Sequence, residues 1–131
     1  MGDARTGTAG SGPALWFASL GAVVAWAVQL SGGWFLEEVA ACGPATASRG
    51  MVLGASVETW VLALTAAAAV VALAAGVIGF RWWSRRRNDD RDPRSGREAF
   101  MAFAGMLSAG LFLPIIVMGG LQVLSLRPCS P

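Results

Sequence analysis

The chain has 131 residues, enough for one domain, with 55% of them hydrophobic and only 14% charged, far less charge than a water-soluble domain of that size carries. It has no His and no Tyr, so the commonest metal ligand and the usual acid–base group near neutral pH are missing, which argues against haem-ligating and Ser-His-type chemistry. All ten basic residues are arginine, and most crowd into one loop between hydrophobic blocks, so the basic excess points to a membrane flank and not to nucleic acid.

Residues 1–13 are rich in Gly, Ser, Thr and Ala with Pro13, a composition expected to stay disordered. An uncharged block then runs over residues 14–36. A helix of that length covers about 34 Å and crosses the roughly 30 Å hydrocarbon core. The block is longer than the apolar region of a signal peptide. Glu37 and Glu38 also separate it from Val39-Ala40-Ala41-Cys42, where a lipoprotein cleavage box would stay apolar or small. Residues 37–56 therefore read as a loop and not as a processing site. The second span is predicted over 57–80, rich in alanine and uncharged from Thr59 to Phe80. Residues 81–98 form an Arg-rich loop. The third span is predicted over 99–124 with Pro114 inside it; membrane helices tolerate such a proline when neighbours satisfy the freed carbonyl, so a kink is expected and not a break. Residues 125–131 are a short tail. The expected fold class is all-α, an integral membrane three-helix bundle.

Arginine placement sets the expected orientation. The 81–98 loop holds Arg81, Arg85, Arg86, Arg87, Arg91, Arg94 and Arg97, whereas the 37–56 loop holds only Arg49. The Arg-rich loop and the amino terminus are thus expected in the cytoplasm, with the first loop and the tail outside. Trp82 and Trp83 then fit an inner aromatic belt, and Trp34 and Trp60 an outer one. Arg81, Arg85, Arg86 and Arg87 are candidates for anionic lipid headgroups; the plainer reading is that they only set topology.

Both cysteines, Cys42 and Cys129, fall on the expected extracytoplasmic face, where disulfides persist. A disulfide between them is one reading. A Cu(I) site of two thiolates, with Met51 as a third ligand, is another, and two unrelated thiols a third. Within the spans, polar groups are expected to face other helices. Ala22, Trp26, Gln29, Gly33 and Glu37 share one stripe of the first helix; Ala104, Ser108, Gly119 and Gln122 share one on the third. Small residues with one amide suit close helix contact and a hydrogen bond across it, so Gln29, Gly33, Ser108 and Gln122 are the candidate packing residues. The functional alternative is a quinone or ion site lined by Gln29, Glu37, Glu58 and Gln122. No catalytic motif, metal set or cofactor site is indicated.

Two segments carry a resemblance. One runs from Gly12-Pro13 through Val24-Ala25-Trp26-Ala27-Val28-Gln29-Leu30 to Ala41-Cys42. The other is Glu98-Ala99-Phe100-Met101-Ala102-Phe103-Ala104-Gly105-Met106-Leu107-Ser108-Ala109-Gly110-Leu111-Phe112, closing at Arg127-Pro128-Cys129. The pattern resembles a family of small, uncharacterised three-helix bacterial membrane proteins often encoded beside haem–copper terminal oxidase subunits and their assembly factors. The likeness covers the first and third spans, about half the chain. It implies a non-catalytic accessory or assembly subunit in the bacterial inner membrane, with oxidase subunits and the bilayer as partners. The cysteine-closed pattern also favours the disulfide. Relatives of that kind often carry His at the position of Gln29 and Tyr near Trp34, a departure that weakens any haem or metal role carried over to Gln29. The expected alternatives are a copper-handling factor using Cys42 and Cys129, and a small transporter subunit using Glu37 or Glu58.

Overall fold

A computed structural model describes residues 11–41, 51–86 and 93–125. Three long helices dominate: α1 (Ser11–Phe35), α2 (Val57–Arg86) and α3 (Pro93–Ser125). Three stretches are long and apolar enough to cross a membrane: Gly12–Glu38, which runs past the end of α1, Val57–Arg85 within α2 and Gly96–Gln122 within α3. Pro13 stands in the first turn of α1 and Pro93 opens α3, positions where a missing N–H removes no helical bond. α1 runs on into a wider π-helical turn, Leu36–Ala41.

Between the first two spans lies a small antiparallel hairpin, β1 (Met51–Val52) and β2 (Ala55–Ser56), paired Met51 to Ser56 and Val52 to Ala55. Leu53 and Gly54 form its two-residue turn with φ of 51° and 84°. Two successive positive φ values are what a tight hairpin turn requires. Gly54 adopts one freely, whereas Leu53 is held in the left-handed region that a Cβ disfavours. The hairpin leads straight into the cap of α2. Ser56 Oγ accepts from the Thr59 backbone N–H at 3.3 Å and lies 2.8 Å from the Thr59 hydroxyl; a serine in that place satisfies a donor that the helix itself leaves unpaired.

The helices alternate in direction, and each touches the other two. Gly12 of α1 lies with Arg97 of α3 at one end, and Glu37 lies with Gln122 at the other. α1 and α3 are therefore parallel, with α2 antiparallel to both. The buried positions are mostly alanine: Ala18, Ala22, Ala25, Ala68, Ala72, Ala75, Ala102 and Ala109, with Ile116 the one large side chain fully enclosed among the described residues. Glycines bring backbones together at the seams. A Cβ on Gly79 would stand 2.9 Å from the Ala102 carbonyl oxygen, and one on Gly105 would run into the Ala18 carbonyl. Large side chains such as Trp16, Leu20, Val70, Phe100 and Leu111 point outward. That is the arrangement of a membrane bundle, where lipid is as apolar as leucine and close packing of small residues holds helices together.

Several boundaries differ from those read in the sequence. Helix α1 already includes Ser11, Gly12 and Pro13. The expected 81–98 loop is helical at both ends, since α2 continues through Arg86 and α3 begins at Pro93. The 37–56 loop likewise loses Glu37 to Ala41 to the π turn, and Met51 to Ser56 to the hairpin. Apolarity reports where lipid ends, not where backbone hydrogen bonding ends, and arginine is a good helix former. α3 is continuous through Pro114, which is exposed.

The buried face of α3 also differs from the expected one. It consists of Ala102, Gly105, Ala109, Ile116 and Gly120, about a third of a turn from the stripe of Ala104, Ser108, Gly119 and Gln122. Ser108 is half-buried, and Gln122 is exposed. Alanine size, not polarity, decides which face turns inward.

Candidate functional site

One polar side chain is buried among the described residues of the three spans: Gln29, only 8% exposed. Its Nε2 donates to Thr65 Oγ1 of α2 at 3.1 Å and to the Ile116 carbonyl of α3 at 2.9 Å. Thr65 in turn donates to the Val61 carbonyl at 2.8 Å. A single amide thus ties all three helices at one level, and both of its N–H protons are used.

The local sequence explains why a helix carbonyl is open to it. A side chain in a helix leans over the turn before it. Positions 119 and 120 are both glycine, so nothing shields the Ile116 carbonyl from the side. Gly119 lies against the amide, with a built Cβ 3.6 Å from Gln29 Nε2. Gly120 faces Thr65 so closely that a Cβ there would collide with the threonine methyl and stand 2.8 Å from its hydroxyl. Next to the junction, Trp26 and Phe112 meet with ring centroids 5.2 Å apart at 46°, a tilted geometry that aromatic pairs favour.

From this junction a cleft of about 550 Å³ opens toward the Glu37 end of the bundle. Trp26, Gln29, Gly33, Trp34 and Glu37 line it from α1 and the π turn; Pro114, Met118, Gly119 and Gln122 line it from α3. The expected Gln29, Glu37 and Gln122 are therefore brought to one place, while Glu58 is exposed on α2 and does not line it. Gly33 is not a helix contact: a Cβ built there meets nothing within 4 Å, because the residue borders the open cleft. Thr65 and the Ile116 carbonyl were missed in the sequence. A lone hydroxyl between Leu64 and a run of alanines was the available signal for Thr65; a backbone acceptor leaves none beyond its glycines.

At the opposite end, Trp83 sits between Phe80 and Phe103, at 6.4 Å and 6.3 Å between ring centroids, joining α2 to α3. Arg81 and Arg85 beside it are exposed; the Arg86 side chain and all of Arg87 lie outside the described residues. So do Cys42, Cys129 and the first ten residues.

The fold and this junction define a class: an all-α, multi-pass membrane protein built as a three-helix bundle, its outward faces suited to lipid. No protein-family model matches the chain, and no curated protein or solved structure matches it either.

Proposed function

We propose that the chain is a non-catalytic accessory or assembly subunit of a respiratory terminal oxidase complex in the bacterial inner membrane, with its amino terminus and Arg-rich end in the cytoplasm. The observation that carries the lateral-packing role is the division of side chains by size. Alanine and glycine fill the seams, while Trp16, Phe17, Leu20, Val24 and Val28 of α1 stand outward, lining with Leu64 and Val71 of α2 a shallow apolar groove of about 420 Å³. Association between membrane helices depends on shape and not on burial of apolar surface from water, so a relief of this kind is what a lateral partner would read. The oxidase as that partner rests on the resemblance carried by Val24 to Leu30 and Glu98 to Phe112.

Affinity purification of the tagged chain in mild detergent, with mass identification of copurifying chains, tests the reading. Oxidase subunits in a fixed ratio are the expected result. A chain that purifies alone, or with a transporter, would overturn it.

A further inference from the structure

The geometry points to a second role for the cleft between α1 and α3: a binding site for an alkylammonium amphiphile, its cationic headgroup inside and its tail lying along the lipid-facing side of the groove. Both N–H protons of Gln29 are committed to Thr65 and Ile116, so the amide has only its oxygen left to present, an acceptor. Glu37 is the one charged residue of the lining, and no arginine reaches it among the described residues. Trp26 and Trp34 add indole rings to the lining, and an aromatic ring attracts a cation through its quadrupole. Acceptor oxygens, aromatic rings and a single negative charge together complement an ammonium group; among the described lining residues an anionic headgroup would meet no cation. The apolar part of the ligand is accommodated as well. Leu30, Ile115 and Met118 are exposed large apolar residues along the same cleft, and its volume of about 550 Å³ falls within the roughly 300–1,000 Å³ of small-molecule sites.

An ammonium amphiphile can come from the bilayer, as an aminolipid, or from outside it, as a free lipophilic amine. The chemistry of recognition is shared, and the experiment separates the two. The full chain in dodecyl maltoside, a neutral detergent, is dialysed to equilibrium against radiolabelled decyltrimethylammonium, with empty micelles as the blank. Saturable binding of one probe per chain is expected. Glu37→Gln should weaken it about tenfold, the size of one carboxylate–ammonium attraction at a partly hydrated interface. Trp34→Ala should weaken it about threefold through the lost ring contact. Both residues are exposed, and unchanged helical circular dichroism verifies that the variants fold. Glu58→Gln, at an exposed position that does not line the cleft, should bind as the parent does. Native mass spectrometry of chain extracted from its own membranes then identifies the source: bound phosphatidylethanolamine that Glu37→Gln loses marks an aminolipid, and an empty chain that still takes up the probe marks a free amine. No saturable uptake, equal uptake of decanoate, or an equal loss in Glu58→Gln would each overturn the proposal.

Discussion

Substituting Gly120 by alanine probes the junction more sharply than removing its amide. The added methyl would collide with Thr65 Cγ2 and stand 2.8 Å from its Oγ1 and 3.0 Å from its Cβ. Thr65 has little room to yield, because its hydroxyl donates to the Val61 carbonyl and accepts from Gln29. Overpacking of this kind costs about 1–3 kcal/mol. Forcing the helices apart also weakens the two bonds from Gln29, worth about 0.6 kcal/mol each in a membrane. Alanine regains about 1 kcal/mol over glycine as a helix former. Gly120→Ala should therefore destabilise the bundle by about 2 kcal/mol. In a Thr65→Ala background the methyl and hydroxyl are gone, the remaining 3.0 Å approach to the residue-65 Cβ offsets the helix gain of about 1 kcal/mol, and the same substitution should come out near neutral. The coupling between the two changes, about 2 kcal/mol, lies within the range for residues in contact. Unfolding in mixed dodecyl maltoside and SDS micelles, followed by Trp fluorescence and compared across the four variants, measures it. A cost for Gly120→Ala that is the same in both backgrounds, within about 0.5 kcal/mol, would refute the contact and with it the three-helix junction.

Gly33→Leu should leave stability in the same assay nearly unchanged, since the added side chain enters the open cleft; a loss above about 1 kcal/mol would mean that Gly33 packs against a neighbour after all. Leu53→Asn should slow amide exchange in the hairpin and the first turn of α2, because Asn tolerates the φ of 51° that Leu53 adopts; faster exchange would argue against that turn. A reporter active only outside the cytoplasm should give signal when fused after Pro131 and none at Ser95, and the reverse pattern would invert the proposed orientation. Non-reducing mass analysis of chain from membranes, with thiols blocked at lysis, should find neither Cys42 nor Cys129 labelled; labelling of both would remove the disulfide and revive copper handling through those thiols.

The three spans were legible because a bilayer demands long uncharged stretches, a constraint written directly into composition. Gln29 was legible for a related reason: an amide deep in a span needs a partner. Its partners were not. One is a carbonyl exposed by Gly119 and Gly120, and a missing side chain leaves no polar mark. Ser108 and Gln122 do not mark the inward face of α3, because small size at Ala102, Gly105 and Ala109 sets that face and polarity does not. Gln29, Glu37 and Gln122 line one cleft, and helical spacing alone aligns the first two. Glu58 lies off it, because its placement depends on the rotation of α2, and that rotation is fixed by alanine contacts such as Ala72 and Ala75 that any of several faces could have supplied. The positive φ at Leu53 had no sequence signal, because leucine is not a turn residue.

The alanine seams have a consequence for how this chain tolerates change. At Ala22, Ala72 and Ala109, all within a few per cent of fully enclosed, the seam is made of methyl groups and backbone, so it discriminates by bulk. Serine, close to alanine in volume and able to bond back to its own helix as Ser19 does to the Trp16 carbonyl at 3.1 Å, should pass there; valine or leucine should not. On the outward faces the rule inverts: Leu20, Val70 and Leu111 can trade among large apolar types but not for charge. A saturation map of the three spans would thus show tight positions that admit a hydroxyl yet refuse a methylene, beside loose positions that admit methylenes yet refuse a charge.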